Sequence, residues 1–549
     1  MLSLRFLVIY SFILILSFIN AQSIDSITAT DVQHAQKIMQ LSFEQAEIDS
    51  MLELLNEQAE NYVEMRDISL SNAISPSLVF YPLPENFEFS SAIEGFKISH
   101  QKTDLPNDLN QLAYASVGQL SYLIRNRKIT SVQLTKMYLE RLKKYGPTLQ
   151  CVITLMEEEA LKEAAQADKE IATGRYRGPL HGIPYGIKDL FSVKGTKTTW
   201  GAMPFKDQVI ETDAAVVEKL REAGAILVAK LTLGALAWGD VWFGGMTKNP
   251  WDLNQGSSGS SAGSASATAA GLVAFSIGTE TWGSIVSPST RCGVSGVRPT
   301  FGRVSRYGAM ALSWSMDKVG PICRTVEDCA IVLQAISGAD ERDPSTMDFP
   351  LTYQPSLDLS SVKIGYIKSA FEEDYPNKEL DLQTLQVLKK MGAQLIPIEL
   401  PELPVSSLSF VLSAEAAAAF DELTRSNRDT LLVRQIKNAW PNVFRAARFI
   451  PAVEYIQANR IRTLLIHEME ELFSEIDAYI CPSFGGDNLL LTNLTGHPCV
   501  VIPNGFDKDG HPHSISLIGK LFDEGTIMTI ANMLQKQYRL KPEFPPLFP

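Results

Sequence analysis

Near the start of the chain, polar residues typical of helix starts precede apolar residues at helical spacing. Residues 30–33 and 42–45 have capping-box spacing, in which a hydroxyl and a side-chain amide satisfy free backbone donors. After the second box the apolar residues repeat about every 3.6 positions, which predicts a helix with one apolar face that must pack on another surface. The members of this apolar stripe are Ile48, Met51, Leu52, Leu55, Ala59, Tyr62 and Val63.

The next stretch, residues 75–106, has frequent prolines and no apolar period, which predicts a linker. We therefore group residues 22–110 as a helical N-terminal extension with its linker. Residues 111–545 are then assigned to one main domain.

From residue 116 onward, helical patterns alternate with short β-rich runs. Residues 116–119 have capping-box spacing, and residues 151–156 are typical of a strand. An amphipathic helix over residues 213–223 is stopped by Gly224, and the apolar run 225–229 follows at once. Such helix-to-strand steps predict a layered α/β fold.

The first residues have the pattern of a secretory signal peptide. Arg5 supplies a positive charge, residues 6–19 form an apolar run, and Ala21 offers a small residue before a cleavage site. We expect residues 1–21 to be removed and the mature protein to be secreted or periplasmic. An uncleaved anchor is the alternative, but the run is shorter than the ~20 residues that a spanning helix needs. No later segment is long and apolar enough to span, so we expect no stable membrane span after cleavage.

Composition limits the classes of partner. The 549 residues, 45% of them hydrophobic, can bury a large core. A net charge of −13, without clustered Lys and Arg, argues against a nucleic-acid partner. Six cysteines and seven histidines lack metal-ligand spacing, so we expect no metal, no cofactor and no disulfide framework, although one disulfide stays open.

Residues 256–264 read Gly-Ser-Ser-Gly-Ser-Ser-Ala-Gly-Ser and run into a helix-like stretch, residues 265–271. Glycines let a substrate approach the main chain closely. A flexible linker would sit awkwardly between the apolar stretches 231–243 and 272–277. A phosphate-binding loop would need a Lys beside its Ser or Thr, which is missing. The segment is therefore a candidate catalytic loop.

Two further segments carry polar residues among apolar ones. Residues 181–190 read His-Gly-Ile-Pro-Tyr-Gly-Ile-Lys-Asp-Leu, and residues 278–285 read Gly-Thr-Glu-Thr-Trp-Gly-Ser-Ile. Taken alone, Lys188 would be interpreted as a surface residue on a half-buried strand. In this order and spacing, however, the three segments resemble the amidase signature family, whose usual pattern is a Gly-Gly-Ser-Ser-Gly-Gly-Ser loop followed by Gly-Thr-Asp-x-Gly-Gly-Ser-Ile. The resemblance spans about residues 110–540 and includes the segments 298–305, 319–328 and 491–498.

The resemblance implies an α/β amidase-signature fold, with a large mixed central β-sheet covered by helices. It also implies hydrolysis of carboxamides without a cofactor, by a nucleophile at Ser284, a bridging serine at Ser260 and a base at Lys188. In the family the bridging serine follows a cis peptide bond, which here would be Gly259–Ser260. Ammonia or an amine would leave first, and water would then hydrolyse the acyl-enzyme.

This chemistry sets a physical demand on Lys188. A serine hydroxyl is a weak nucleophile and needs a base, and a lysine can act as one only when it is neutral. Its pKa must therefore fall from ~10.4 to about 7. Burial beside Ile187 and Leu190, without a paired carboxylate, would supply that change. Asp189 is adjacent in sequence, but successive residues of a strand point to opposite faces.

The backbone N–H groups of Thr281, Trp282 and Gly283 are candidates for the oxyanion hole, because these residues directly precede the nucleophile. Trp282 stands where the family usually has Gly, and a non-glycine residue can donate there only if it can adopt the required dihedrals. Glu280 replaces the usual Asp. Val286 stands where Arg often follows, which disfavours substrates with a second carboxylate near the reacting carbon.

Other candidates are weaker. Cys292 has no neighbouring base, and buried free cysteines are common. His181 and His497 adjoin Gly or Pro and are interpreted as structural or pocket-lining. Residues 493–495 match a glycosylation sequon, but they lie in an apolar segment and are predicted to be buried.

Three functions stay open. The first is a secreted serine amidohydrolase of the peptide-amidase-like branch, which acts on a small-molecule or peptide amide. The second is the catalytic subunit of a tRNA-dependent amidotransferase, which works with partner chains. The third is a non-catalytic binding protein that keeps the fold, suggested by Trp282, Glu280 and Val286. The predicted export signal and the acidic composition favour the secreted amidohydrolase. The sequence makes no prediction of the oligomeric state.

Overall fold

The structure is a computed structural model that describes residues 26–538, 540 and 544–549. The predicted signal peptide, residues 1–21, lies outside these residues. The chain divides into two compact units, residues 1–70 and residues 71–549. No helix in the described part of the chain is both long and apolar enough to cross a membrane.

The first unit contains two helices in its described part, α1 (Ala29–Ile38) and α2 (Gln45–Arg66). Asn56 joins α2 to the segment that leads into α1, since its side chain accepts the N–H of Ile27 at 2.8 Å and donates to the Ile27 carbonyl at 3.2 Å. Of the predicted apolar stripe, Ile48 is buried and Tyr62 is exposed, with the other members half-buried.

Both helices of this unit begin with a carboxylate that reaches back to the preceding backbone. The N–H of Thr28 donates to Asp31 at 2.9 Å, and the N–H of Glu44 donates to Glu47 at 2.6 Å. The capping boxes predicted at residues 30–33 and 42–45 are therefore wrong. An ionised carboxylate is a stronger acceptor than a glutamine amide, so these acidic residues determine where each helix begins.

Residues 71–110, which the sequence pattern grouped with the N-terminal extension, belong to the second unit. Phe80 packs edge-on against Phe301 with ring centroids 5.0 Å apart, and Ile93 is buried. The N–H of Lys97 donates to the Tyr353 carbonyl at 2.8 Å.

The second unit is built on a mixed β-sheet, which has eleven strands within the described residues, and two short two-stranded sheets accompany it. The strands are β1 (Val152–Leu155), β2 (Pro184–Lys188), β3 (Ile226–Leu231), β4 (Val241–Trp242), β5 (Gly245–Met246), β6 (Lys248–Asn249), β7 (Asp252–Gly256), β8 (Phe275–Glu280), β9 (Ser295–Arg298), β10 (Lys318–Cys323), β11 (Lys363–Ile367), β12 (Gln394–Ile398), β13 (Ala478–Pro482), β14 (Cys499–Phe506) and β15 (Pro512–Gly519).

The helices of the second unit are α3 (Val117–Arg125), α4 (Ser131–Leu149), α5 (Glu157–Ala172), α6 (Ala215–Glu222), α7 (Ala262–Ala269), α8 (Val286–Cys292), α9 (Val326–Ile336), α10 (Lys368–Glu372), α11 (Lys378–Lys390), α12 (Phe410–Ala419), α13 (Asp421–Arg425), α14 (Trp440–Ala447), α15 (Ala452–Glu475), α16 (Asn488–Thr495) and α17 (Glu524–Tyr538). The predicted capping box of Ser116 and Gln119 starts α3. Gly224, with φ +81°, follows α6, as predicted.

The large sheet runs β1-β3-β2-β8-β10-β9-β14-β15-β13-β11-β12. Strands β3, β2 and β8 pair in parallel, as do β12, β11 and β13, while the other neighbours are antiparallel. Strands β2, β3, β8, β9, β10 and β13 are buried along their whole length. The predicted α/β fold with a large mixed central sheet and flanking helices is confirmed.

Two adjacent parallel strands of this sheet, β2 and β8, position the candidate site. Ile187 of β2 lies opposite Ile277 of β8, so the carboxyl ends of both strands meet at the same edge. Lys188 is the last residue of β2, and residues 281–285 directly follow β8. Helix α7 starts at Ala262, inside the small-residue segment 256–264 and before the start of the predicted helix-like stretch 265–271.

Candidate active site

Lys188 is fully buried, and its contacts are uncharged oxygens. Its Nζ lies 2.8 Å from Oγ of Ser260, 3.1 Å from Oγ of Ser261 and 2.8 Å from Oγ1 of Thr279. Burial lowers the pKa of Lys188 from 10.5 to about 7, against the opposing charges of Asp317 and Glu280. A buried ammonium that loses its hydration without gaining a carboxylate partner favours the neutral amine.

Asp189 follows Lys188 in sequence but forms its contacts elsewhere. Its Oδ1 lies 2.8 Å from Nζ of Lys230, and its Oδ2 accepts the N–H and the hydroxyl of Thr199 at 2.8 and 2.6 Å. The prediction from strand alternation, that this carboxylate points away from Lys188, is confirmed.

The small-residue loop brings Ser260 and Ser261 to the amine. The peptide bond Gly259–Ser260 is cis, as the resemblance implies. The Ser261 hydroxyl donates to the Thr279 carbonyl at 3.0 Å and accepts the Thr279 N–H at 3.2 Å. The N–H of Ser261 donates to the Ser284 carbonyl at 3.2 Å. These bonds hold the loop beside the end of β8 and beside the segment that follows it.

Ser284 is buried except for 8% of its surface. Its hydroxyl has no hydrogen-bond partner among the described residues. Within the same part of the chain, the N–H groups of Thr281, Trp282, Gly283 and Ser284 also have no acceptor. Unpaired backbone donors beside an unpaired hydroxyl can bind an oxygen that becomes negatively charged during acyl transfer.

Glu280 holds the turn that carries Ser284. Its Oε2 accepts the N–H groups of Ile285 and Val286 at 2.8 and 3.0 Å, and its Oε1 accepts from Arg298 at 2.8 Å and from Asn493 at 2.9 Å. Burial alone would raise the pKa of Glu280, but Arg298 and the donated hydrogen bonds outweigh it and lower the pKa to about 2. The carboxylate is therefore ionised and has four donors that fix the turn.

Sequence reasoning missed Ser261 and Thr279 as contacts of Lys188. Ser261 directly follows the predicted bridging serine, and Thr279 lies two residues beyond Ile277 on the strand next to β2. The contact arises where both strands end, and strand alternation would have placed Thr279 on the face of Ile277, away from Lys188, so no local pattern in the sequence would have found it.

The weaker candidates have structural surroundings. Burial raises the pKa of the Cys292 thiol, and all six cysteines are buried free thiols. His497 stacks on Phe473 with ring centroids 5.1 Å apart, and burial lowers its pKa to about 3. Burial also lowers the pKa of His181. Asn493, the first residue of the sequon, is buried against Glu280, as its apolar segment predicts.

A cavity of about 360 Å³ adjoins the site, and Thr279 and Thr281 are part of its lining. Much of the remaining lining is apolar or aromatic and includes Leu190, Trp200, Ile210, Met310, Leu312 and Trp314. The cavity therefore offers an apolar space next to the segment that carries Ser284.

Comparison with known proteins identifies the family. A family profile described as Amidase matches residues 133–488, more than half of the chain. The chain belongs to the amidase family. Among curated members, a glutamyl-tRNA(Gln) amidotransferase subunit from Marinomonas sp. (strain MWYL1) is 32% identical over 469 residues, which are 77% of this chain and 96% of that protein.

Solved structures of the amidase family show the same fold. The native peptide amidase from Stenotrophomonas maltophilia matches with a TM-score of 0.72 and 29% identity, over 80% of this chain and 99% of that chain. A glutamyl-tRNA(Gln) amidotransferase subunit from Thermotoga maritima matches with a TM-score of 0.67 and 26% identity, over 80% and 97% of the two chains. The resemblance drawn from the sequence segments is confirmed, and this amidase is an enzyme that acts on C–N amide bonds.

Proposed function

We propose that this amidase hydrolyses carboxamides through an acyl-enzyme on Ser284, with Lys188 as the base and Ser260 as the proton relay. The observation that carries the proposal is the environment of Lys188. Its Nζ is fully buried, lies 2.8 Å from the Ser260 hydroxyl, and has a pKa lowered to about 7. A base is most effective when its pKa lies near the working pH.

In the proposed reaction, the Ser284 oxygen attacks the amide carbon while its proton passes to Ser260 and the Ser260 proton passes to Lys188. The carbonyl oxygen becomes negatively charged and is bound by N–H groups of Thr281, Trp282 and Gly283. The C–N bond then breaks, and the proton on Lys188 returns through Ser260 to the leaving nitrogen. Water attacks the acyl-enzyme by the same route, releasing a carboxylic acid and the free Ser284 hydroxyl.

The backbone around Ser284 supports the proposed oxyanion hole. Gly283 has a φ of +85°, which favours glycine, whereas Trp282 is not among the residues with positive φ. A tryptophan is therefore compatible with the backbone at a position where the family usually has glycine. The indole of Trp282 is 45% exposed and can contact the part of a substrate that extends into solvent.

The second part of the proposal is export, supported by the charge and apolar pattern of residues 1–21. The mature protein should begin near Gln22 and should be found outside the cytoplasm. Cell fractionation with N-terminal sequencing tests this, and a cytoplasmic protein that keeps residues 1–21 would contradict it.

Labelling with a serine-directed fluorophosphonate tests the nucleophile. The probe should label the wild type at Ser284 and should not label Ser284→Ala, which should also release no ammonia from primary amides. Ser287→Ala is the matched control, because the Ser287 hydroxyl bonds to Ser258 at 2.8 Å and has no part in the proposed reaction. Labelling at another residue, or full activity of Ser284→Ala, would contradict the proposal.

The second candidate function is that of an amidotransferase subunit, because curated relatives at 32–33% identity carry that name. Ammonia released from the amide would then pass to a partner chain instead of to solvent. Purification of the native protein followed by a glutaminase assay distinguishes the two functions. A stable complex that is needed for activity favours this candidate, whereas activity of the isolated chain on simple amides favours hydrolysis. Failure of the folded chain to react with any probe or amide would favour the non-catalytic alternative.

A further inference from the structure

An exposed turn upstream of the family match forms part of the cavity wall. The family profile begins at residue 133, whereas the turn lies at residues 71–75. The residues of the turn that line the cavity are Ser71, Asn72, Ala73 and Ser75.

Asn72 attaches this turn to the rest of the wall. Its Oδ1 accepts the N–H of Ala311 at 2.8 Å, and its Nδ2 donates to the carbonyl of Ala311 at 2.9 Å. A longer contact of 3.5 Å joins Nδ2 to the Ala419 carbonyl. Every other residue from 71 to 79 is exposed. One side-chain amide therefore holds the turn in place through a two-point pairing with the main chain.

The same wall continues to the segment that carries Ser284. The N–H groups of Leu312 and Ser313 donate to Oδ2 of Asp317 at 2.8 and 3.0 Å. Its Oδ1 accepts the hydroxyl of Thr281 at 2.5 Å. A continuous set of hydrogen bonds thus runs from the turn, through the residues after Ala311, to the proposed oxyanion hole.

The charged side chains of the cavity all have partners within the protein. The pairs are Arg306 with Asp343 at 3.1 Å, Arg342 with Glu218 at 2.7 Å, Asp317 with Thr281, and Lys318 with the Met316 carbonyl. A charged acyl group would lose its hydration here without gaining an ionic partner. An uncharged apolar group gains from burial against the apolar and aromatic lining.

We infer that the turn at residues 71–75 limits the size of the acyl group, and that Asn72 is a specificity-determining residue. The substrate class is amides of compact, uncharged, apolar carboxylic acids. This inference rests on the proposed function, because the acyl group is the part of the substrate that stays on Ser284. A cavity of about 360 Å³ lies near the lower end of the roughly 300–1,000 Å³ found for small-molecule sites, which suits an aryl or short branched group.

Kinetics on amides of increasing size test whether the turn at residues 71–75 limits the size of the acyl group. Asn72→Ala removes both bonds to Ala311, so the ratio of kcat/KM for 2-naphthylacetamide to that for isobutyramide should rise about tenfold. Ala73→Trp fills the cavity and should lower the same ratio by about tenfold. Ser77→Ala, an exposed position that does not line the cavity, is the control and should leave the ratio unchanged. An unchanged ratio in both test variants overturns the inferred size limit.

Acyl charge is tested with a matched pair of substrates. Succinamate differs from butyramide by a carboxylate in place of the terminal methyl group, and its kcat/KM should be lower by about tenfold or more. Equal turnover of the two would overturn the assignment of an uncharged acyl group.

Calorimetric binding of isobutyrate and 2-naphthylacetate separates this inference from the proposed function. If the wild type hydrolyses no amide, but Asn72→Ala shifts the affinity ratio toward the larger acid, the size limit stands and the proposed function fails. If the wild type hydrolyses amides and neither the kinetic nor the affinity ratio moves, the proposed function stands and the size limit is wrong. If no amide is hydrolysed and neither acid binds, both are wrong.

Discussion

Two buried lysines on neighbouring strands have opposite surroundings. In the parallel register of β2 and β3, Lys230 lies opposite Ile187, the residue before Lys188. Lys230 lies 2.8 Å from Asp189 and donates to the Thr198 hydroxyl at 2.7 Å. Lys188 contacts hydroxyl and carbonyl oxygens and has no carboxylate in contact among the described residues.

The difference teaches how two adjacent residues can have separate roles: Lys188, at the end of β2, is the proposed base, whereas Asp189, directly after β2, forms an ion pair with β3. Burial lowers the pKa of both lysines, but the Asp189 carboxylate opposes this effect at Lys230. Asp189 is covalently next to Lys188, yet strand geometry directs it to the other lysine. The direction of one carboxylate therefore places Lys230 in an ion pair and leaves Lys188 unpaired, as the proposed proton transfer requires.

Replacement of the unpaired lysine should have the largest effect on activity. Lys188→Met should lower kcat by about 10³-fold or more, because the proposed base is lost, whereas the fold should persist because no charge is left unpaired. Ammonia release gives kcat, and calorimetry gives Tm. Lys188→Arg should be equally inactive, since a guanidinium does not deprotonate. Loss of the folded state in Lys188→Met would contradict the difference between the two lysines, because the unpaired lysine would then also be needed for stability.

Replacement of Lys230, the paired lysine, should lower the stability of the protein. Lys230→Met leaves the buried Asp189 carboxylate without its partner and should lower the free energy of unfolding by roughly 3–5 kcal/mol. Denaturant unfolding measures this change. The double variant Lys230→Met, Asp189→Leu should recover part of the lost free energy of unfolding, because it also removes the unpaired Asp189 carboxylate. A Lys230→Met protein as stable as the wild type would contradict the structural role.

The pH dependence of activity should report Lys188. Because the neutral amine is the active form in the proposed mechanism, kcat/KM should rise with pH along an acidic limb with a pKa near 7. Below that pKa the rate should fall about tenfold per pH unit. The limb should be absent from the residual activity of Lys188→Met. An acidic limb near the ordinary lysine pKa would contradict the assignment.

The same lysine should also make stability depend on pH. Between its folded pKa of about 7 and its ordinary value of 10.5, Lys188 is neutral in the folded state and protonated in the unfolded state. The unfolded state then binds more protons, so the contribution of Lys188 to the free energy of unfolding rises with pH across this window. The stability advantage of Lys188→Met over the wild type should therefore be largest near pH 7 and shrink toward pH 10. A constant difference across that range would contradict the lowered pKa.

The smallest expected effect comes from a hydroxyl that contacts the amine. Thr279→Val removes the oxygen 2.8 Å from Nζ, which stabilises the ammonium more than the neutral amine. The pKa of the acidic limb of the kcat/KM profile should therefore fall by roughly 0.5–1 unit. Thr279→Ser keeps the hydroxyl and should keep the limb. A higher pKa of the acidic limb in Thr279→Val would contradict the proposed contact of the Thr279 hydroxyl with the ammonium.

Local patterns predicted local features of the fold. Three such features are the capping box at Ser116, the helix end at Gly224 and the direction of Asp189 away from Lys188. Each depends on a few neighbouring residues, and the structure contains all three. The contacts of Thr279 and Ser261 with Lys188 depend on the register of β2 against β8, which the sheet as a whole determines. Without the family resemblance, hydropathy alone placed Lys188 on the surface.

In the N-terminal region, the sequence pattern predicted the backbone but not the burial or the long-range contacts. Proline frequency predicted an irregular backbone after residue 75, which is observed, but it carried no information on burial. Phe80 and Ile93 pack within the second unit because apolar partners from distant parts of the sequence lie there. The pairing of Asn72 with Ala311 likewise joins residues 239 positions apart, beyond any local pattern.

Trp282 gives the site a fluorophore of its own. Among the described tryptophans it is the exposed one, while the others are buried or half-buried. A soluble quencher such as iodide should therefore act mainly on the indole two residues before Ser284. Stopped-flow quenching would then follow the formation and hydrolysis of the proposed acyl-enzyme in real time, without an attached dye.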